Sequence, residues 1–419
     1  MTDDAFWAAA LADAEVADAA DPLAGFRERF HLPPGTIYLD GNSLGPAPLA
    51  ALEALDEAAR REWADGLIGS WNSAGWFDLP TRLGDMLAPL IGAGAGEVVV
   101  TDTTSLNLYK ALHAGLSLRP DRRVIVAEGG SFPTDLYVAE GVLATRPDLG
   151  LRLEGVDGPE LLDLVDEDVA VVLVNQVDYR TGRRRDLREV TARIHAAGAV
   201  ALWDLCHSAG IMEVGLGDAG ADLAVGCTYK YLNGGPGSPA FVYAAARHHG
   251  DIRQPLSGWW GHAAPFDFAR DYAPASGIRR FLCGTQPILS MRALEAGLAL
   301  TAEAGLAPVR AKSVALTERF LALAEAGCAP LGVGVFSPRE AEERGSQVAL
   351  THPEGYAVMQ ALIARGVVGD FRMPDILRFG FAPLYLRHVD VVRAARTLQQ
   401  VLAGRAWESP RYRARAAVT

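Results

Sequence analysis

Six short runs of aliphatic and β-branched residues punctuate the middle of the chain, at 97–101 (EVVVT), 123–127 (RVIVA), 169–174 (VAVVLV), 199–203 (AVALW), 222–226 (DLAVG) and 240–243 (AFVY). They are nearly continuous in apolar residues, so a strand built from any of them must be covered on both faces. Helix-like segments at 104–116, 134–145 and 186–197 fall between most of them and can supply that cover. The pattern predicts an α/β body over roughly residues 65–285, a mostly parallel sheet sandwiched by helices.

On either side the pattern changes. Residues 3–30 read as helical, 36–40 (TIYLD) as a short strand running into the turn-rich 41–45, and 48–63 as helix. Residues 286–327 are rich in Ala and Leu and read as long helix. Beyond them, strands at 346–350, 366–371 and 376–381 alternate with helices at 353–364 and 388–403, a second and smaller α/β lobe. The expected organisation is an N-terminal arm with helices (1–64), a large domain (65–285), bridging helices (286–327) and a small C-terminal domain (328–419). No low-complexity linker separates the lobes, so they are expected to pack rather than swing.

Charge and cysteine content narrow the classes of function. The formal net charge is −12 over 419 residues, a balance that repels phosphate backbones and argues against nucleic-acid binding. The arginines at 411, 413 and 415 read as a solvated end. Cys206, Cys227, Cys283 and Cys328 show no C-x-x-C spacing, so no metal site is expected. Few cysteines, an acidic start (Met1-Thr2-Asp3-Asp4) and no apolar run near the ~18 residues of a membrane span point to a cytoplasmic protein with no membrane partner.

Of 39 basic residues only Lys110, Lys230 and Lys312 are lysine. Where arginine supplies ordinary positive charge, a retained lysine draws attention to chemistry that needs a deprotonable amine, such as a Schiff base. Lys110 and Lys312 lie in helical segments and read as solvated. Lys230 follows a strand and precedes a Gly/Pro-rich loop.

Open α/β sheets bind ligands outside the carboxyl ends of their strands. Four strand ends carry suitable residues. Asp102-Thr103-Thr104-Ser105 opens a helix and suits a phosphate, or is an ordinary Ser/Thr N-cap. Phe132 and Asp135 follow the second run and set an aromatic face beside a carboxylate, or form a turn with Pro133 at helix N1. Asp204 and His207 follow the fourth; Asp204 faces a pyridine nitrogen or caps a helix, and His207 is then a core histidine. Tyr229-Lys230 follows the fifth. Together they are the parts of a pyridoxal 5'-phosphate (PLP) site: phosphate cup, stacking aromatic, pyridine-directed Asp and Schiff-base lysine.

Nearly end to end, the sequence resembles the fold-type I, aspartate-aminotransferase-like PLP enzymes, and within them the kynureninase family. The resemblance rests on 39–45 (LDGNSLG), 71–76 (WNSAGW), 104–107 (TSLN), 132–135 (FPTD), 204–207 (DLCH), 229–237 (YKYLNGGPG), 257–262 (SGWWGH) and 378–380 (RFG). It implies hydrolytic cleavage of the Cβ–Cγ bond of L-kynurenine to anthranilate and L-alanine, within tryptophan catabolism. It also implies a mostly parallel, seven-stranded-type sheet in the large domain, and a homodimer with its active site at the subunit interface.

Carried over residue by residue, the resemblance implies that Lys230 binds PLP, Asp204 pairs with the pyridine nitrogen and Phe132 stacks on the ring. Thr104, Ser105, Tyr229 and Trp259 hold the phosphate. Asp135, Asn175 and His207 lie close to the cofactor, and Thr285 reaches it from the partner subunit. Asn175 stands where Ser or Thr is usual. Arg378 takes the substrate α-carboxylate, with Ser43 and Trp71 also at the substrate, and Tyr229 is the acid–base residue. Trp71, Trp76 and Trp260 line an aryl pocket or serve as core packing. The rival readings on the same scaffold are a class V aminotransferase and a cysteine desulfurase, for which Cys328 is the only loop candidate; a catalytically silent PLP-binding protein is the third.

Overall fold

A computed structural model describes residues 3–155 and 158–415; Met1 and Thr2 of the acidic N-terminal stretch lie outside them. The chain divides into two units, one made of 1–49, 178–184 and 303–419, the other of 50–177 and 185–302.

The second unit is built on a seven-stranded sheet. Its strands are β1 (Val98–Val100), β2 (Val124–Ala127), β3 (Gly150–Leu153), β4 (Val169–Asn175), β5 (Val200–Asp204), β6 (Leu223–Gly226) and β7 (Phe241–Ala244). They lie in the order β1-β7-β6-β5-β4-β2-β3. Pairing is parallel from β6 through to β3, and only β7 runs antiparallel to its neighbours. All six expected strands are present, and β1, β4, β5, β6 and β7 are buried along their whole length, as their unbroken apolar runs require. The sheet has the seven strands that the fold-type I resemblance implies, one more than the six apolar runs mark out. Strand β3 lies at an edge and is half-exposed, so its GLRL sequence carries no apolar run to betray it.

Three helices between the strands start on recognisable signals, two of them side-chain caps. Helix α1 (Thr104–Ser117) follows Thr103, whose hydroxyl accepts the Leu106 N–H at 3.3 Å. Helix α2 (Pro133–Thr145) has Pro at its first position. Helix α3 (Leu187–Ala196) follows Asp186, which accepts the Glu189 N–H at 2.9 Å. Lys110 on α1 is not solvated as expected. It is fully buried, ion-paired with Asp102 and donating to the Phe281 carbonyl at 2.6 Å.

In the first unit a four-stranded antiparallel sheet comprises β8 (Gly334–Val335), β9 (Gln347–Thr351), β10 (Asp370–Arg372) and β11 (Ile376–Gly380), in the order β10-β11-β9-β8. The strand expected over 366–371 splits at Gly369. Val367–Val368 pairs with Ile37–Tyr38 in a separate parallel ladder, and the chain then joins the larger sheet at Asp370. Gly369 passes so close to β11 that a Cβ there would stand 2.8 Å from the Arg378 carbonyl oxygen. The long helix expected over 286–327 is two helices, Ile288–Ala304 and α4 (Leu306–Cys328), broken at Gly305 with φ +74°. Lys312 on α4 is also buried rather than solvated; it pairs with Asp21 at 2.6 Å and donates to the Pro383 carbonyl at 2.7 Å.

Asp222, at the foot of β6, fixes the start of the strand that leads to Lys230. Its carboxylate accepts the Ala201 N–H of β5 at 2.8 Å and meets His195, His248 and Arg247 at 2.7 Å each. Burial pushes this carboxyl up, but those hydrogen bonds outweigh it and hold the group well below the usual carboxylate range. The depressed value means that the stabilisation is present above the unfolded pKa of about 4 and is lost as pH falls through the folded value. Asp222→Asn should therefore lower the melting temperature at pH 7, and the deficit should shrink below about pH 4. Calorimetric melts of both proteins across pH check this; an equal deficit at every pH would show that the charge of Asp222 is not the source.

Candidate active site

Three adjacent parallel strands bring their carboxyl ends into a row. Asn175 at the end of β4 is in register with Asp204 at the end of β5, and Asp204 with Val225 of β6. The chain then turns out of β6 through Cys227 and Thr228 to Tyr229 and Lys230. Lys230 Nζ lies 2.9 Å from His207 Nε2, so the strand-end lysine and the histidine after β5 meet. Asp204 is buried, and its Oδ1 accepts the Cys206 N–H at 2.7 Å. Burial pushes its carboxyl up, against the pull of that N–H and of the Lys230 charge. The helix-capping reading of Asp204 fails, because turns and no helix follow β5; Oδ1 instead holds the turn N–H of Cys206, in a carboxylate whose setting favours a cationic partner.

Behind this row lies a buried polar network. The Asn175 side-chain amide donates to Glu128 at 3.0 Å, Ser131 at 2.8 Å and Asp135 at 3.4 Å, and its backbone N–H reaches Glu128 at 2.8 Å. Arg185 pairs with Glu128 and, at 3.3 Å, with Glu154. Burial, then the Asp204 charge, pushes the Asp135 carboxyl well up. Two carboxyl groups this close in a dry setting do not both ionise readily, so Asp135 is the one expected to hold a proton.

Around the row stand the remaining expected residues of this unit. Thr104 and Ser105 open α1, where the first N–H groups of a helix have no intrahelical acceptor. Thr104 Oγ1 is 4.0 Å from Cys206 Sγ. Phe132, just before α2, is 47% exposed and Trp259 is 38% exposed, unusual for rings this large. The Tyr229 phenol is pushed far up by the Cys227 thiol beside it and by burial, so it stays protonated. Thr285 is exposed in the loop before Ile288–Ala304. Trp71 packs edge-on against Trp76, Trp259 and Trp260 with centroids 6.1, 6.0 and 5.2 Å away. Trp260 is fully buried and donates to the Phe77 carbonyl at 3.2 Å, so it is core packing, whereas Trp71 is half-buried.

Arg378 and Ser43 belong to the other unit. Arg378 is 2% exposed on β11, directly across from Asp370 on β10. Its Nε donates to Asp370 Oδ1 at 2.8 Å and its Nη2 to Oδ2, a bidentate pair. Nη1 donates to the Tyr179 carbonyl at 2.6 Å, and Nη2 to Ser43 Oγ at 2.9 Å. The Ser43 hydroxyl passes its own proton to Asp370 at 2.7 Å.

Residues 309–398 match the model of the kynureninase C-terminal domain. A kynureninase from Burkholderia pseudomallei is 54% identical over 407 residues, covering 96% of this chain and 98% of its own. This chain belongs to the kynureninase family. A kynureninase from Pseudomonas fluorescens is 52% identical over the same shares. Among solved structures, the apo cysteine desulfurase of Thermococcus onnurineus NA1 shares the fold with a TM-score of 0.75 at 22% identity, over 91% of this chain and 98% of that one. A C-DES variant solved with glycine linked to its PLP cofactor gives 0.75 at 19%, over 89% and 98%. The architecture is thus fold-type I.

Four residues around the expected positions escaped the sequence reading: Glu128, Arg185 and Cys227 in the second unit, and Asp370 in the first. Glu128 ends an apolar run and reads as a turn residue. Asp370 becomes significant only through its register with Arg378, and sequence spacing does not encode register across a split strand. Removing Asp370 leaves a buried guanidinium without its counter-charge. Asp370→Ala is expected to cost about 3–5 kcal/mol of stability in urea unfolding, and Asp370→Leu with Arg378→Met to recover much of it. A loss from the single variant below about 1 kcal/mol would show that the pair is effectively solvated.

Proposed function

We propose that this kynureninase-family chain hydrolyses the Cβ–Cγ bond of L-kynurenine, with PLP as cofactor, to give anthranilate and L-alanine. The observation that carries the reading is the strand-end grouping of Lys230, His207 and buried Asp204, in a chain 54% identical to a curated kynureninase. The donor set fits PLP: an amine for its aldehyde, a buried carboxylate for a protonated pyridine, and a helix start with two hydroxyls for its phosphate.

Bound PLP supplies the electron sink that carbon–carbon cleavage needs. Asp204 keeps the pyridine nitrogen protonated. Phe132 offers the ring a face, and Thr104, Ser105, Tyr229 and Trp259 take the phosphate. Asp135, His207 and Asn175 line the cofactor; Asn175 acts chiefly by holding Glu128 and Asp135 in place. Lys230 Nζ, the amine for the cofactor aldehyde, would also move the proton at Cα. Tyr229, a phenol at working pH, is a proton donor. Water adds to the γ-carbonyl carbon, the Cβ–Cγ bond breaks with its electron pair on Cβ, and Cβ is protonated. Arg378 and Ser43 receive the α-carboxylate, and Trp71 the aryl ring. A homodimer in which Thr285 serves the partner's cofactor is part of the proposal, supported by the exposure of Thr285 and Trp259. Four free thiols support a reducing, cytoplasmic setting.

The desulfurase rival needs a nucleophilic cysteine on a loop. Cys328 instead closes helix α4, is fully buried, and has its thiol pushed up to about 12 by that burial. Anthranilate fluorescence on adding L-kynurenine to the holoenzyme, with no keto-acid acceptor present, tests the reading. An absence of anthranilate overturns it.

Lys230→Ala should abolish covalent PLP attachment, because Lys110 and Lys312 are buried and engaged elsewhere. Borohydride reduction and peptide mapping check this, and a label on Lys110 or Lys312 would refute the assignment. The Trp71–Trp76 segment has no His, and Thr285 stands where relatives that prefer the ring-hydroxylated substrate resemble one another in having Asn. An unpaired buried hydroxyl costs about 1–3 kcal/mol. L-kynurenine should therefore exceed 3-hydroxy-L-kynurenine in kcat/KM by about tenfold or more. Parallel steady-state assays decide the point, and equal or reversed preference contradicts it.

A further inference from the structure

The turn after Ile37–Tyr38 holds a carboxylate that the proposed chemistry does not use. Asp40 bridges to Gly380 at the end of β11, and its Oδ1 is buried with no hydrogen-bond partner among the described residues. It stands in a closed group of charges. Asp370 and Arg372 face it from β10, Arg378 from β11, Tyr38 from its own strand and Ser43 from its own turn. Tyr179 from the 178–184 segment completes the surroundings through Arg378 and Arg372.

With Asp40 ionised, two carboxylates face two guanidiniums and the group is neutral. Asp370 is committed to its charge, held by Arg378, by Arg372 at 2.8 Å and by Ser43. Although burial opposes it, those partners keep the Asp370 carboxyl below its ordinary value. The Ser43 hydroxyl donates to Asp370 at 2.7 Å, and its pull on Asp40, which is downward, is smaller than the upward push of burial and of the Asp370 charge. An arriving α-carboxylate adds a third negative charge to two positive ones. In a buried setting that excess is costly, and the least costly correction is a proton on the carboxylate that has an unpartnered oxygen.

We propose that Asp40 takes up a proton when a carboxylate binds at Arg378, so that substrate capture by this cluster is proton-linked. The inference rests on the reading of Arg378 as the α-carboxylate site. Asp40 is then a positioning residue: it touches no reacting atom and sets the charge under which Arg378 can accept a second anion. Burial, and next the Asp370 charge, push its carboxyl up to about 7, which places the exchange in the working range of pH.

The test is calorimetric titration of the holoenzyme with 3-benzoylpropanoate, an aryl keto acid without the amino group whose own proton would confuse the count. Buffers of different ionisation enthalpy give the protons taken up. The wild type should take up about half a proton per site near pH 7, and its affinity should fall by up to about tenfold per pH unit above that point. Asp40→Asn should bind with no uptake and a flat pH profile. Absence of uptake in the wild type overturns the proposal without any variant needing to fold, and so does uptake that persists in Asp40→Asn. Arg378→Lys separates the underlying reading: unchanged affinity for the keto acid removes the carboxylate site from Arg378, whereas weakened binding without uptake in the wild type refutes Asp40 alone.

Discussion

Parallel pairing from β6 to β3 is the constraint on which the candidate chemistry rests. Strands that run the same way finish on the same edge, so residues far apart in sequence are delivered to one line without any being placed individually. Asn175, Asp204 and the turn to Lys230 are neighbours because their strands are. The cost is that each interior strand must be sheathed on both faces. This is why the runs are so uniformly apolar and why polar chemistry begins at the residue where each strand stops.

Much of this was legible in the sequence, for one physical reason. Burial on both faces leaves an unbroken apolar signature, and the residue after it is exposed to selection by chemistry. Lys230, Asp204 and Phe132 stand out by their position after such runs. What stayed hidden depends on contacts between segments that no local pattern specifies. The half-exposed β3 lacks the apolar run. Gly305, where the chain takes a positive φ, breaks a composition that reads as one continuous helix. Lys110 and Lys312 illustrate the converse error: a helical periodicity shows that a lysine lies on a face, but the partner across that face decides whether it is wet.

Buried ionic groups recur in the structure at two levels of completeness. Lys110 with Asp102, Lys312 with Asp21 and Arg378 with Asp370 are paired and supplemented by carbonyl acceptors or hydroxyls, the arrangement that offsets desolvation. Asp204, Asp135 and Asp40 are carboxyl groups whose surroundings raise them instead. Stabilising pairs and groups held out of balance thus share one molecule. The second kind gathers where ligand charge is expected to arrive.

The near-absence of lysine has a consequence outside catalysis. Two of the three ammonium groups are sealed inside, and Lys230 is recessed at the strand ends, so none of the three is exposed. The cationic exterior is guanidinium. Active esters and simple aldehydes, which read the surface amines of most proteins, find almost nothing here to acylate or condense with. A lysine-directed protease meets no open bond in the native fold, while an arginine-directed one meets many. The same scarcity that isolates one amine for an aldehyde cofactor makes the exterior quiet toward simple aldehydes, while its guanidinium groups stay open to 1,2-dicarbonyls.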